Sequence, residues 1–248
     1  MADQDVIAPV AVQNLRKGFG GQAVLNGIDL HIAQGETVSV LGRSGTGKSV
    51  LLKLIVGLHK PDQGSIRIHG TEITNLSLEE LNKSRAGIGF LFQDAALYDS
   101  LTLEENVAFP MRSHIGIPEI ERKDRARKLL ASVGMENDGN KLPSQISGGM
   151  KKRVGLARAL ALDPDILLFD EPTSGLDPIT SSEIEELILK LQEERKTASL
   201  VVTHDLRGAK TVSDRLVLLN EGQIVIDGSF NDLRASGDPF VAKFMRDG

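Results

Sequence analysis

The chain has 248 residues, a formal net charge of −5, 40% hydrophobic and 25% charged residues. That balance excludes a disordered or fibrous chain, and at about 100–200 residues per domain it suits one large domain or a core carrying an insert. The absence of Cys and Trp removes disulfide frameworks, thiolate metal sites and cysteine chemistry, and the mild acidity argues against nucleic acid as the main partner.

The opening MADQDVIAPV is acidic and lacks a basic stretch followed by an apolar one, so it reads as neither a signal peptide nor a transit peptide. Residues 10–15, 28–32 and 37–41 read as strands, and 50–58 as a helix apolar on nearly every side, buried against a sheet. That apolar run is broken by Lys53 and falls well short of the roughly 20 residues that cross a bilayer. After the turn Lys60-Pro61-Asp62-Gln63-Gly64, residues 65–69 alternate like an edge strand, and 88–92 form another short strand. From about Asp94 to about Leu142 the chain reads as charged helices broken at Pro110, Gly116, Pro118 and Gly134, with 121–128 a solvated helix face. Strand–helix alternation then resumes. Residues 166–169 and 200–203 are short, apolar and suit buried parallel strands; between them 181–192 is an amphipathic helix with Ile184, Leu187, Ile188 and Leu191 on one face. A hairpin is expected around Asn220-Glu221-Gly222. The simplest architecture is a P-loop α/β core interrupted by a helical insert.

Chemistry enters with Gly42-Arg43-Ser44-Gly45-Thr46-Gly47-Lys48-Ser49, a G-x-x-x-x-G-K-[ST] sequence between a strand and a helix. Glycines let backbone N–H groups curl around phosphates, and the helix end adds a favourable dipole. Lys48 then reaches the outer phosphates and Ser49 puts a hydroxyl on Mg²⁺. The strand at 166–169 runs into Asp170 and Glu171. In a phosphate site the first binds Mg²⁺ and the second polarises the attacking water; elsewhere the pair is an acidic loop. Ser147-Gly148-Gly149-Met150, followed by Lys151-Lys152-Arg153, opens a helix and reads either as a second anion site or as a plain N-cap.

Taken in order, these elements resemble the nucleotide-binding ATPase subunit of ABC transporters over residues 10–227. Gly42–Ser49 looks like Walker A, Gln93 like the Q-loop, and Ser147, Gly148 and Gly149 with Met150 like the signature motif. Asp170-Glu171 looks like the end of Walker B, Ser174-Gly175-Leu176-Asp177 like the D-loop, and His204 like the switch histidine; Phe19 fits the aromatic that stacks on adenine. Read without the resemblance, Phe19 is a core aromatic, Gln93 a surface glutamine and His204 a strand cap. Met150 departs from the Gln common at that position. The resemblance implies a single nucleotide-binding domain over 1–248, with a RecA-like P-loop core, an antiparallel β subdomain and a helical subdomain at approximately 94–157. It implies that ATP is bound by Phe19, Gly42, Arg43, Ser44, Gly45, Thr46, Gly47, Lys48, Ser49, Val50 and Gln93. Ser147, Gly148 and Gly149 would come from a second copy in a homodimer. Ser49, Gln93 and Asp170 would hold Mg²⁺, while Lys48, Glu171 and His204 carry hydrolysis.

A narrower resemblance, to the ATPases of Mce/Mla-type phospholipid transporters (the MlaF group), rests on Arg43, on Val50-Leu51-Leu52-Lys53, on Gln93-Asp94-Ala95-Ala96-Leu97-Tyr98 and on Glu105-Asn106-Val107-Ala108-Phe109-Pro110. Met150, Asp177-Pro178-Ile179-Thr180 and Asp238-Pro239-Phe240-Val241 add to it. It implies phospholipid movement between bacterial membranes, with an integral-membrane permease, a periplasmic Mce-type lipid-binding protein and a small cytoplasmic accessory protein as partners. The chain would sit on the cytoplasmic face of the inner membrane. Two other readings fit the ATPase motifs: import of a polar solute such as an amino acid, and a soluble ABC ATPase outside transport.

Overall fold

Burial in the computed structural model, which describes residues 7–113 and 117–247, sorts the strands into two sheets. The acidic N-terminal reading and the break at Gly116 lie outside the described residues. The chain begins with a long hairpin, β1 (Val10–Phe19) and β2 (Gln22–Ile32), followed by β3 (Thr37–Leu41) and α1 (Lys48–Ile55). Next come β4 (Gln63–Ile68), β5 (Thr71–Glu72), α2 (Leu78–Ala86) and β6 (Ile88–Leu91). The first sheet has the antiparallel order β2-β1-β4-β5. The hairpin strands run longer than their alternation predicts because β1 is bulged. Its register with β2 shifts between Val12 and Leu15, and Asn14 takes a left-handed φ of 44°, which breaks the period of two that sequence patterning relies on.

The charged middle of the chain supplies α3 (Leu103–Ala108), a 3-10 turn, α4 (Glu119–Ser132), a second 3-10 turn and α5 (Gly148–Ala159). Among its charged residues, Lys123 and Lys128 of α4 make i,i+4 pairs with Glu119 and Asp124 on an exposed face, while Ala126, Leu129 and Leu130 turn inward. Beyond it lie β7 (Ile166–Asp170), α6 (Pro178–Arg195), β8 (Ala198–Thr203) and α7 (Leu206–Val212). The hairpin β9 (Arg215–Asn220) and β10 (Gln223–Gly228) and the helices α8 (Phe230–Ala235) and α9 (Pro239–Asp247) complete the chain. The second sheet has the order β10-β9-β3-β8-β7-β6, parallel throughout except for β10.

Alternation decides which face each strand residue serves. Ile166 and Leu168 of β7 and Leu200 and Val202 of β8 pack with α1 and the antiparallel sheet. Leu167, Phe169 and Val201 face the opposite way, into a core shared with α3–α6. Leu216 and Leu218 of β9 meet α7, α8 and α9 in a third cluster. Ile184, Leu187, Ile188 and Leu191 are the buried stripe of α6, as their spacing predicts. α6 starts where Asp177 accepts from the Ile179 and Thr180 N–H groups and Pro178 occupies the first turn.

Two sheets that share a core still need a fixed relative position, and Arg215 supplies one fastening. Its guanidinium donates to Glu36 at 2.7 Å, to both oxygens of Asp227 at 2.9 and 2.7 Å, and to the His31 carbonyl on the antiparallel sheet at 2.5 Å. Burial pushes the Glu36 carboxyl up, but the Arg215 hydrogen bond, the Ala33 N–H and the Arg215 charge outweigh it and hold it below its ordinary value of 4.5. A depressed carboxylate stabilises the fold above its unfolded value, and that contribution fades as pH falls through the lower folded value. Arg215→Met should therefore cost about 2–3 kcal/mol at neutral pH. The gap between denaturant melts of wild type and variant should narrow as the pH falls below the ordinary Glu36 value of 4.5. A gap of undiminished size in acid would rule out the ion pairs as its source.

Candidate nucleotide site

Register places the site. Leu41 of β3 lies opposite Thr203 of β8 and Leu218 of β9; Asp170 of β7 lies opposite Val202, and Leu91 of β6 opposite Phe169. The residues just past these strand ends, Gly42, Glu171, His204 and Gln93, therefore emerge at the carboxyl edge of one parallel sheet, where open α/β sheets bind ligands. They line a cavity of about 710 Å³ together with Arg43, Ser44, Gly45, Gly47, Lys48, Ser49 and Val50.

The loop from Gly42 to Gly47 closes on itself and then on β2. Thr46 turns its hydroxyl back onto the Arg43 carbonyl at 2.9 Å, and it is part of the loop without lining the cavity. Gly47, the N-cap of α1, has φ 99°, a conformation L side chains disfavour. A Cβ there would stand 2.8 Å from Leu25 and 3.0 Å from Val24, so the glycine is also what lets the loop lie against the hairpin. No side chain caps α1, which leaves its first N–H groups aimed at the cavity as an anion site.

Lys48 is 6% exposed. Its Nζ donates to the carbonyls of Gly42 at 2.8 Å and Arg43 at 3.1 Å and stands 3.8 Å from Glu171 Oε1. Burial pulls the ammonium's pKa down, opposed by Glu171 and Asp170. Asp170 accepts from the Ser49 hydroxyl at 2.8 Å, and burial pushes its carboxyl up, with Glu171 adding to the push against Ser49, Lys53 and Lys48. Ser49, Asp170 and the cavity-lining Gln93 are hard oxygen donors that suit Mg²⁺. Among the described residues no cluster of His, Cys, Asp and Glu could hold a metal unaided, so the ion would draw further oxygens from a phosphate ligand, its usual habit.

Glu171 is the most constrained residue of the site. Its φ of 47° is left-handed, a conformation costing about 1–3 kcal/mol for a residue with a side chain unless its surroundings enforce it. They do so at both ends. The Glu171 N–H donates to Val202 at 2.9 Å, and Lys152 donates to the Glu171 carbonyl at 2.8 Å. The carboxylate accepts from the Thr203 hydroxyl at 3.1 Å and contacts His204 Nδ1 at 3.0 Å. The Gln93 loop is held in a similar way: Ala95 and Ala96 have φ of 57° and 47°, and Arg158 donates to their carbonyls at 2.5 and 2.6 Å.

Phe19, Ser147, Gly148 and Gly149 do not join this cavity. Phe19 is exposed at the end of β1, edge-on to His59 with ring centroids 5.5 Å apart and Lys17 over its face. Ser147 caps α5 by accepting from the Met150 N–H at 3.3 Å; Ser147 and Gly148 are exposed, whereas Gly149 is buried. Sequence reading missed Val24 and Phe244, which also line the cavity, and the contacts of Thr203 and Lys152. Val24 and Phe244 come from the hairpin and α9, remote in sequence, and no local pattern marks them. Thr203 is signalled only by lying next to His204 at a strand end.

The family model described as ABC transporter matches residues 25–174. A Mycobacterium tuberculosis protein described as a probable ribonucleotide transport ATP-binding protein is 44% identical over 95% of this chain. The chain spans 66% of that relative's length, just under two thirds. The Arabidopsis thaliana chloroplast protein trigalactosyldiacylglycerol 3 is 41% identical over 98% of this chain and 74% of its own. Among solved structures, a dimeric ATP-binding cassette in a post-hydrolysis state with ADP and Pi superposes with a TM-score of 0.82. It is 37% identical, with 89% of this chain and 98% of that one covered.

The two glycines of the loop separate backbone strain from crowding. Gly45 has φ 83° with nothing within 4 Å of a Cβ, so Gly45→Ala should cost about 1–2 kcal/mol from conformation alone. Gly47→Ala adds the collision with Leu25 and Val24 and should cost about 1–3 kcal/mol more. Denaturant melts of the two variants measure the difference, and equal losses would show that the loop is free to move off the hairpin.

Proposed function

The chain belongs to the ABC transporter family as an ATP-binding cassette, and from that premise we propose that it hydrolyses ATP to drive phospholipid movement through a separate permease. The observation that carries the hydrolysis is the approach of Lys48 and Glu171 to 3.8 Å across a cavity walled by the Gly42–Gly47 loop. Lys48 exchanges its loop carbonyls for the outer phosphate oxygens, and the N–H groups at the start of α1 take the rest of the charge. Ser49, Asp170 and Gln93 would hold Mg²⁺, which would supply positive charge against the phosphate oxygens. Glu171, 3.8 Å from Lys48 and aimed by the Thr203 hydroxyl and His204, orients the attacking water and draws on its proton. His204, with a side chain 63% exposed, is free at its outer edge to reach the terminal phosphate.

Ser147 and Gly148 are exposed at the head of α5 and do not line the cavity of their own chain. The reading therefore places Ser147–Gly149 over the nucleotide of a second copy, with ATP clasped between two chains. A permease fits the second groove, about 430 Å³, between β6 and the Gln93 loop. Phe90, Phe92, Tyr98 and Phe109 line it, the last two half-exposed with ring centroids 4.4 Å apart. Such a surface suits the apolar face of a partner helix. Among the described residues no helix is long and apolar enough to cross a membrane. The phospholipid cargo, the Mce-type lipid-binding protein, the accessory protein and a place on the cytoplasmic face of the inner membrane follow from the MlaF-group residues. The glycerolipid in the Arabidopsis relative's name supports them. The ribonucleotide in the mycobacterial relative's description favours a second reading, import of a polar solute.

Lys48→Ala should abolish Mg²⁺-dependent ATPase activity, and Glu171→Gln should keep ATP binding while losing about 100-fold or more in turnover. It should also accumulate as an ATP-bound dimer on size-exclusion chromatography. Near-normal turnover in either variant would remove the site assignment. The cargo is tested separately, on the complex purified from its native membrane. ATPase rate should respond to phospholipid only when the permease is present. A complex that ignores lipid and is stimulated by nucleotides or amino acids would replace the lipid reading with the polar-solute one.

A further inference from the structure

Lys152 sits in the basic run Lys151-Lys152-Arg153, which follows the Ser147–Met150 segment read as a second anion site or a plain N-cap. The fold turns it inward: it is 4% exposed. Its Nζ donates to the Glu171 carbonyl at 2.8 Å and to the Gln93 carbonyl. Arg153, by contrast, reaches out to Glu183 and the Val133 carbonyl. One ammonium thus joins three elements: α5, which Ser147 caps, and the chain just past the ends of β6 and β7.

We propose that Lys152 is a positioning residue that ties the helix carrying Ser147–Gly149 and the Gln93 loop to the catalytic carboxylate of the same chain. The proposal rests on the reading of the cavity as an ATPase centre. Glu171 aims its side chain from a left-handed backbone, and that conformation is fixed on one side by its N–H to Val202 and on the other by Lys152. Without the ammonium the Glu171 carbonyl keeps the Ser174 N–H at 3.2 Å but loses its shorter bond, and the Gln93 carbonyl loses the link to β7. Among the described residues no hydrogen bond joins Lys152 to Lys48 or to the first N–H groups of α1, the groups proposed to hold phosphate. In a dimer built as proposed, α5 presents Ser147 to the other chain's nucleotide while Lys152 grips Glu171 beside its own. Docking at one site is then transmitted to the carboxylate of the other through a single side chain.

The test compares Lys152→Met, which keeps the stem and removes the charge and donors, with Lys152→Arg, which restores donors, in the full chain. A misplacement on the order of 1 Å costs about 100-fold in rate. Lys152→Met should therefore lower kcat about 10- to 100-fold with KM for Mg-ATP within about threefold, and Lys152→Arg should recover most of the loss. In a Glu171→Gln background, Lys152→Met should cost nothing further, because the group it positions is already disabled. A simple packing role would add its loss in both backgrounds. An unchanged kcat, a KM that rises in step with the loss, or an additive double variant overturns the proposal. Should Lys152→Met not fold, Lys152→Gln, which keeps uncharged donors, takes its place and must lose kcat relative to Lys152→Arg at equal KM. If wild type shows no ATPase activity, or Glu171→Gln retains it, the underlying reading has failed. If wild type is active, Glu171→Gln inactive and Lys152→Met normal, this inference alone has failed.

Discussion

Parallel pairing with level strand ends is the constraint on which the rest of the molecule depends. β3, β8, β7 and β6 stop within two residues of one another, so the chain leaves the sheet at four neighbouring points along one edge. Three of the exits lead into the polar side chains Gln93, Glu171 and His204, and the fourth opens the glycine-rich loop at Gly42. The alternation that sends Leu168 and Leu200 toward α1 and Phe169 and Val201 toward α6 is therefore also what decides that Asp170 and Glu171 fall at the edge. A slip of β7 by one residue would turn its apolar set over and send a carboxylate into the core. Core and chemistry are specified by the same register.

At that edge four charged groups are buried together: Lys48 at 6% exposed, Lys152 at 4%, Asp170 at 5% and Glu171 at 9%. Two cations face two anions, which keeps the cluster neutral and makes its desolvation tolerable. Burial still disfavours their charged forms, lowering both lysines and raising Asp170. A phosphate brought to Lys48 and a divalent cation brought to Asp170 each relieve that cost. The site is thus most stable with both present, consistent with the proposed use of Mg-ATP.

Much of this was legible in the sequence because it is local. The Gly42–Ser49 spacing, the apolar strands at 166–169 and 200–203 and the stripe on α6 need no knowledge of the rest of the fold, and all stand where they were read. The capping boxes were legible too, though unread: Ser77 and Glu80 mark the start of α2. What escaped depends on distant segments or on broken periodicity. The bulge at Asn14 hid half of the first hairpin. The Lys152 contacts arise only once β6, β7 and α5 have packed. The place of Phe19, edge-on to His59 at the end of β1, also depends on how the hairpin packs and not on local spacing.

The paired left-handed alanines after Gln93 behave as a sprung catch. Ala95 and Ala96 each hold about 1–2 kcal/mol of backbone strain, and Arg158 clasps both carbonyls. That arginine also forms part of the wall of the aromatic groove. A partner helix in the groove would therefore touch the same guanidinium that holds both alanines, so the wall of the groove and the turn beside Gln93 share one side chain.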